Sequence, residues 1–315
     1  MQFFSIRIFL AYILCWCVNL VAKTTELDFP ASCRLDSIET FIYSVVRKDN
    51  TLFLTTKDAD FFIRTPFNGL KDSSYKIFGG YSDSKRIIIP KDLGTLRWHS
   101  SFIIENKIGF IDGINLNVYY FDLKNNQFIV KKELVWDMIK PPKDRIGEPT
   151  QIEITKHRSN FKKNFIKTVG AKIVGVSHLE RLDTSSTTYF MFISSVSEYP
   201  FLVGYCDKMS LSCVIDRFCY VNKFTFKNDG RYRGVGVDTK NQTLIIGDFK
   251  DHKLHKFKFN SCLNISYIDS ISLPSKIKEI SSVYIDQDNN LWVSSIAADN
   301  YTNSSVFCWD SSKWK

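Results

Sequence analysis

One pattern of apolar and polar positions recurs along the chain. It consists of an apolar strand, a polar turn, a second apolar strand, an acidic or polar loop, and an aromatic strand. Its copies lie at 42–63, 101–121, 234–257 and 282–309, with a weaker one at 172–207. A single copy cannot bury both faces of its own sheet, whereas copies stacked around a common axis bury all of them. The pattern therefore predicts a β-propeller.

The spacing of the copies predicts the number of blades. The turns recur about every fifty residues, so the roughly 290 residues after position 22 would make about six four-stranded blades. We therefore predict an all-β fold: a six-bladed β-propeller of four-stranded antiparallel sheets that fills residues 23–315 as a single domain. The composition agrees, because 26 Phe and 14 Tyr against 14 Gly favour pleated, half-buried strands.

The first 22 residues have the layout of a secretory signal peptide. One basic residue, Arg7, precedes an apolar run at 8–17 and a second short apolar stretch that ends at Ala22. An uncleaved signal anchor is the alternative, but an apolar run of about fifteen residues is short for a bilayer that needs about twenty. We expect cleavage near Lys23 and a secreted, extracellular protein that has no membrane partner afterwards.

Six cysteines remain after residue 22, and an even number in an oxidising compartment predicts up to three disulfide bonds. They are Cys33, Cys206, Cys213, Cys219, Cys262 and Cys308. Six cysteines allow fifteen connectivities, so the sequence alone fixes none of them. A bridge from Cys33, before the first copy, to Cys308, in the last copy, would hold the ends of a ring together. A local link among the three central cysteines and a link that reaches Cys262 also stay open.

Four triplets of the form Asn-x-Ser/Thr fit a secreted protein, because such triplets are the acceptors of N-linked glycans. They begin at Asn241, Asn264, Asn300 and Asn303. We predict that these four asparagines, all in the last quarter of the chain, are glycosylated.

The chain is basic, with 42 Lys and Arg against 33 Asp and Glu and a net charge of +9, which falls to +8 if Arg7 leaves with the signal peptide. A charge of this size attracts anions, membranes or nucleic acid without specificity. The basic residues are scattered, however, and the densest cluster, at 156–163, lies in a polar stretch typical of an exposed loop. We therefore expect no nucleic-acid partner, and we expect a monomer.

The propeller topology predicts where a ligand would bind. The start of each innermost strand and the loop after each second strand reach the same face, beside the axis. The strand starts bring His99, Ser100, Arg233 and Ser281 to this face, and the loops bring Asp58, Asp112, Asp248 and Ser295. Of these, the candidate ligand-binding residues are His99, Asp112, Asp248 and Ser281. Carboxylates around a narrow opening of low dielectric would hold a cation, either an organic amine or Ca²⁺. The alternative is structural, because Asp is common in loops, where its side chain bonds to nearby backbone.

Several segments resemble the yellow / major royal jelly protein family. They are 285–293 (IDQDNNLWV), 305–310 (SVFCWD), 86–91 (RIIIPK) and 118–124 (VYYFDLK). Together with their surroundings they cover about a third of the chain, whereas the family's Gly-x-Pro-Ala-Thr-Leu stretch is reduced to Gly94-Thr95-Leu96. The resemblance implies a secreted six-bladed propeller. Because some salivary members bind biogenic amines in the channel, it also implies ligand-binding positions at Ser304 and Val306.

The sequence favours binding over catalysis. No His-Glu-x-x-His, Gly-x-Ser-x-Gly or P-loop motif occurs, and His99 is the one residue we would test as a general base. The favoured function is a secreted protein that binds a small cationic ligand, such as a biogenic amine, in the central channel. One alternative is an enzyme, either of the dopachrome-converting type that the resemblance implies or a Ca²⁺-dependent hydrolase. Another is a structural or protein-interaction component of a secretion.

Overall fold

A computed structural model describes seventeen stretches of the chain, and it consists mainly of strands. The described residues are 25–26, 33–38, 40–56, 61–67, 76–77, 85–90, 98–112, 117–134, 176–181, 188–194, 201–206, 213–219, 221–222, 224–227, 231–259, 265–296 and 303–315. The predicted signal peptide at 1–22 and the basic cluster at 156–163 lie outside these residues. Within them, no helix is long and apolar enough to cross a membrane.

Within the described residues the strands form five sheets, each built on four antiparallel strands, and we number these as blades in chain order. Short parallel strands extend one sheet to six strands and another to five. Blade 1 contains β3 (Ile42–Lys48), β4 (Thr51–Thr56), β5 (Phe61–Pro66) and β7 (Lys85–Ile88). Blade 2 contains β8 (Trp98–Ile104), β9 (Lys107–Asp112), β10 (Asn117–Asp122) and β11 (Gln127–Leu134). Blade 3 contains β12 (Val176–Arg181), β13 (Thr188–Ser194), β14 (Phe201–Cys206) and β15 (Cys213–Cys219).

Of the last two blades, only blade 5 includes a strand from the N-terminal end of the chain among its four. Blade 4 contains β17 (Tyr232–Asp238), β18 (Thr243–Asp248), β19 (Lys253–Phe259) and β20 (Ile265–Ser272). Blade 5 contains β21 (Glu279–Ile285), β22 (Leu291–Ile296), β23 (Ser304–Trp309) and, on its outer edge, β2 (Cys33–Ile38). The remaining short elements are β1 (Thr25–Glu26), β6 (Lys76–Ile77), β16 (Val221–Asn222) and α1 (Ser311–Trp314).

The five innermost strands close a ring around the axis. Each one contacts the innermost strands of its two neighbours, in the order β3, β8, β12, β17, β21 and back to β3. The predicted propeller of four-stranded antiparallel sheets is therefore confirmed. The predicted number of six blades is not confirmed, because the described strands form five. The estimate of six assumed that every residue after position 22 belongs to a blade. The residues at 135–175, which in sequence follow blade 2 and precede blade 3, lie outside the described residues.

The N-terminal segment joins three blades at the closure of the ring. Its first strand, β1, pairs in parallel with β20 at the outer edge of blade 4. The next strand, β2, pairs antiparallel with β23 and completes blade 5. The chain then enters β3, the innermost strand of blade 1. Blade 5 is thus built from both ends of the chain, and its assembly closes the propeller.

The hydrophobic core lies between the blades. The cluster that joins blades 5, 1 and 2 includes Phe53, Phe62, Phe110, Tyr119 and Trp292, all nearly inaccessible to solvent. The opposite face of blade 5 packs against blade 4 in a second cluster, which includes Ile245, Val283, Leu291, Trp309 and Trp314. Blades 5 and 1 are therefore buried on both faces, as the repeated pattern predicts.

A buried ion pair also connects blade 5 to blade 1. The Arg47 guanidinium of β3 lies 2.6 Å from a carboxylate oxygen of Asp286 and 2.6 Å from one of Asp288, and it stacks over the Phe67 ring at 4.4 Å. The Trp292 indole N–H donates to the same Asp286 oxygen at 2.8 Å. Burial opposes the charge of Arg47, but the two carboxylates outweigh it and raise the pKa of the guanidinium.

Replacing Arg47 with Met should test how much this interaction stabilises the closure. Because Arg47→Met keeps the volume but leaves the Asp286 carboxylate buried without its cation, we expect the free energy of unfolding to fall by about 3 kcal/mol. Chemical denaturation followed by tryptophan fluorescence measures the change. The control is Arg64→Met, since Arg64 is exposed and its loss should change stability by less than about 0.5 kcal/mol. Equal effects of the two substitutions would contradict the role of the ion pair.

Candidate functional site

A β-bulge interrupts every innermost strand close to its first residue, at the end of the axis that we call the mouth. In each blade one or two residues are left without a partner on the second strand. These residues, which we call the mouth ring, are Tyr43, His99, Ser177, His178, Gly234 and Ser281. Bulges re-aim side chains and are common next to functional sites. Two of the predicted site residues, His99 and Ser281, belong to this ring.

Gly234 allows the innermost strands of blades 4 and 5 to approach each other. Its φ of +71° lies in the left-handed region that favours glycine. A Cβ atom at this position would lie 2.2 Å from the backbone nitrogen of Val283 in β21. The bulge in blade 4 therefore requires glycine for both backbone and packing reasons.

Arg233, directly before Gly234, places a guanidinium at the mouth. It lies over the Phe249 ring at 5.7 Å from the ring centroid. Among the described residues, no side chain forms an ion pair with it. Burial lowers the pKa of Arg233, and the nearby Tyr43 and Glu279 compensate only in part. The mouth thus contains a desolvated cation whose donors have no fixed acceptor among these residues.

Three blades meet around this guanidinium. Arg233 belongs to blade 4, Glu279 is the first residue of β21 in blade 5, and Tyr43 is the bulge residue of blade 1. The rings of Phe41 and Tyr43 lie 4.7 Å apart at an angle of 51°. The described side chains at the mouth therefore include a cation, a carboxylate and an aromatic pair.

Below the mouth ring, small hydroxyl side chains connect neighbouring strands and blades. Ser44 Oγ lies 2.6 Å from Ser101 Oγ in blade 2 and 2.8 Å from Thr55 Oγ1 in its own blade. In blade 5, Ser294 Oγ lies 2.7 Å from the hydroxyls of both Ser281 and Ser282. These contacts satisfy buried hydroxyls and fix the innermost strands relative to one another.

Asp248, predicted to bind a cation, is buried with its carboxylate fully engaged. One oxygen accepts hydrogen bonds from the Lys250 and Asp251 amides at 3.1 Å, and the other lies 3.2 Å from His255 Nε2 and 3.4 Å from Arg231 Nη1. Burial raises the pKa of Asp248, but these donors outweigh it and hold the pKa below its ordinary value. A ligand-binding role for Asp248 stays a prediction, and the loop contacts alone account for the residue.

The two positions implied by the family resemblance lie inside the blade 5 to blade 1 interface. Ser304 Oγ accepts a hydrogen bond from the Ile42 amide at 3.0 Å, and Ser304 is 2% exposed. Val306 is fully buried in the core cluster of blades 5, 1 and 2. In this structure both residues stabilise the interface between blades 5 and 1. Their roles in ligand binding stay predictions.

His99 and Asp112 are described by their backbone alone. Asp112, the last residue of β9, lies opposite Trp98, which precedes the His99 bulge. The end of the second strand thus returns to the mouth beside the start of the innermost strand, as the topology predicts. Of the predicted glycosylation sites, Asn241 and Asn303 are exposed, whereas Asn264 and Asn300 lie outside the described residues.

The sequence interpretation did not single out Tyr43 and Glu279. It placed Arg233 on the face beside the axis but did not include it among the candidate ligand-binding residues. An alignment of the copies on their turns could have found the bulge positions, because Tyr43 and His99 each lie six residues before a polar turn. An alignment could not have shown that no described side chain forms an ion pair with Arg233, since ion pairing depends on contacts between blades.

Comparisons with known proteins give structural likenesses only. No protein-family model matches the chain, and no curated protein matches it. Among solved structures, the chain is similar to glutaminyl cyclase of Myxococcus xanthus, with 6% identity over 88% of this chain and 94% of that one, and a TM-score of 0.46. It is also similar to U3-55K, with 8% identity over 89% and 99% of the two chains and a TM-score of 0.44.

The WD40 repeats of RRP9 give a similar result, with 8% identity over 90% of this chain and 99% of that one, and a TM-score of 0.43. At such identities and TM-scores, these likenesses carry no information about function. The resemblance to the yellow / major royal jelly protein family stays a prediction.

Replacing Gly234 with Ala should destabilise the interface between blades 4 and 5. Because the new Cβ would collide with the Val283 backbone at an unfavourable φ, we expect a loss of about 3 kcal/mol in the free energy of unfolding. Chemical denaturation measures it. The control is Ser281→Ala at the bulge of blade 5, which loses one hydroxyl contact and should cost about 1 kcal/mol. A Gly234→Ala variant as stable as the wild type would contradict the close approach.

Asp248 should contribute to the acid sensitivity of the fold. Because its pKa in the folded chain lies below the ordinary value of 3.8, the ionised carboxylate stabilises the fold above that value, and the contribution is lost as the pH falls through the lowered pKa. We expect Asp248→Asn to be about 1–3 kcal/mol less stable at pH 7. We also expect it to lose less further stability than the wild type between about pH 5 and pH 2.

Denaturation curves at a series of pH values test this expectation. The control is Asp49→Asn, since the Asp49 side chain is 76% exposed and its substitution should change the free energy of unfolding at pH 7 by less than about 0.5 kcal/mol. Parallel profiles of Asp248→Asn and the wild type would show that Asp248 does not titrate as inferred.

Proposed function

We propose that this chain is a secreted β-propeller that binds a small ligand at the mouth, and that the ligand carries both an ammonium group and an anionic group. The observation that carries the proposal is Arg233, a desolvated guanidinium beside the axis with no ion-pair partner among the described residues. The sequence supports secretion, through the signal-peptide layout of residues 1–22 and the even number of cysteines.

The anionic group of the ligand would bind Arg233. A guanidinium presents planar, paired N–H donors that match the two oxygens of a carboxylate, and such bidentate hydrogen bonds are stronger than neutral ones. The Phe249 ring, whose centroid lies 5.7 Å from the guanidinium carbon, restrains the position of the side chain. Arg233 loses part of its hydration when the chain folds, not when a ligand binds. An incoming carboxylate therefore gains the attraction of the guanidinium without a further desolvation cost for Arg233.

The ammonium group of the ligand would lie between Glu279 and the aromatic pair of Phe41 and Tyr43. A carboxylate attracts an ammonium ion, and the face of a tyrosine ring adds a cation–π interaction when the ion lies within about 6 Å. This arrangement keeps the amine ligand that the sequence predicts but moves its carboxylate partner from Asp248 to Glu279. The proposal adds an anionic group to this amine ligand, because Arg233 would bind an anion.

No described contact favours the enzyme alternatives or a purely structural role over binding. Among the described side chains, no group of three or more His, Cys, Asp or Glu residues could hold a metal ion. Dopachrome conversion, Ca²⁺-dependent hydrolysis and a structural role in a secretion stay predictions from the sequence.

A matched series of ligands tests the proposal by calorimetric titration. Tyramine carries the amine alone, 3-(4-hydroxyphenyl)propionate carries the acid alone, and tyrosine carries both. We expect tyrosine to bind most tightly. We expect Arg233→Met to weaken tyrosine and the acid about tenfold or more, which corresponds to at least about 1.4 kcal/mol, while leaving tyramine unchanged. Glu279→Gln should weaken tyrosine and tyramine and spare the acid.

Arg64→Met serves as the control for loss of a positive charge. It removes an exposed arginine from β5 of blade 1 and should leave all three titrations unchanged. Absence of saturable heat with all three ligands would contradict the proposal. Unaltered binding in Arg233→Met would also contradict it, because that result would place the ligand elsewhere.

A further inference from the structure

Two pairs of cysteines occupy directly opposite positions on neighbouring antiparallel strands. In blade 5, Cys33 of β2 is the register partner of Cys308 of β23. In blade 3, Cys206 of β14 is the register partner of Cys213 of β15. The register is information that the sequence alone does not contain, and it selects among the fifteen possible connectivities.

The backbone at opposite positions is already suited to a disulfide bond. Cα atoms of directly opposite residues in an antiparallel pair lie about 4.5 Å or 5.5 Å apart, depending on the type of pair. Disulfides join Cα atoms about 4.4–6.8 Å apart. The register therefore places both pairs within reach of a disulfide bond. Cys308 carries no disulfide bond in the structure, so the pairing is supported by the register and not by an observed bond.

We propose that Cys33 and Cys308 form one disulfide bond and that Cys206 and Cys213 form another. If both bonds form, Cys219 and Cys262 are the pair that remains. In sequence, Cys219 lies two residues before Val221, whose parallel partner is Ile265, and Cys262 lies three residues before that partner. Cys262 itself lies outside the described residues, so the third bond follows by elimination alone.

Each bond forms by thiol–disulfide exchange. One thiolate attacks an oxidised donor disulfide, either on a protein oxidant or on oxidised glutathione, and the second thiolate then displaces the donor. Two thiols lose two protons and two electrons, and the donor is reduced to its two thiols. The inference rests on the secreted part of the proposed function and not on the ligand.

The two bonds have different consequences for the fold. Cys206 and Cys213 belong to consecutive strands of one hairpin, so their bond closes a short loop. Cys33 and Cys308 belong to opposite ends of the chain, so their bond closes a loop that contains almost the whole propeller. Cys308 is fully buried, which means that oxidation has to accompany or precede the docking of β2 on β23. The longer bond therefore locks the ring closure.

Peptide mapping of the secreted full-length chain tests the pairing. Trypsin separates all six cysteines into different peptides: 24–34, 182–208, 209–217, 218–223, 259–276 and 279–313. After free thiols are blocked and N-linked glycans removed, we expect 24–34 to be joined to 279–313 and 182–208 to be joined to 209–217. Any other partner for Cys33 or Cys206, or blocked thiols at these positions in the folded protein, would overturn the proposal.

Thermal unfolding gives a second measurement, with the hairpin pair as matched control. We expect the double variant Cys33→Ser, Cys308→Ser to lower Tm by about 10 °C, and the double variant Cys206→Ser, Cys213→Ser to lower it less. An equal or smaller effect of the first variant would overturn the assignment of the closure to the Cys33–Cys308 bond. If the first variant fails to be secreted, the peptide map of the wild-type chain alone decides whether the two bonds form. A chain that binds none of the ligands would still give the same map, so the two proposals can fail separately.

Discussion

The structure depends on closing the ring between blade 5 and blade 1. Every other interface joins blades that follow one another along the chain, whereas this one joins the two ends of the molecule. An open ring would expose one apolar face of each terminal blade to water, at a cost that grows with the exposed area. The closure is accordingly made by several kinds of contact: the strand β2 on β23, the Arg47–Asp286 ion pair, and the hydrogen bond from Ile42 to Ser304.

The sequence was sufficient to predict the repeated unit and where it occurs. All five copies of the pattern correspond to blades, because strand–turn–strand alternation is a local property and the turns carry residues suited to positive φ, such as Asp49 and Asn289. The number of blades was not predictable in the same way. It depends on how many residues lie between blades, and the pattern says nothing about a stretch such as 135–175.

The candidate site shows the same division between local and long-range information. The position of Asp248 at the end of a second strand was predictable, whereas its saturation by Arg231, His255 and two backbone amides was not, since composition cannot distinguish an exposed loop carboxylate from a buried one. Val306 illustrates the converse case. Its place in strand β23 follows from the repeat, but only the packing of blade 5 against blade 1 shows that its side chain lies in the core.

The mouth and the closure involve the same three blades. Arg233, Glu279 and Tyr43 belong to blades 4, 5 and 1, and the N-terminal segment pairs with the outer edges of blades 4 and 5 before it enters blade 1. The relative positions of these blades set the distance between the guanidinium and the carboxylate. A ligand that bridges the two groups would therefore bind to an arrangement that the N-terminal segment holds in place. Binding of such a ligand would be thermodynamically linked to ring closure, because any contact that favours the closed ring would also favour the binding-competent geometry.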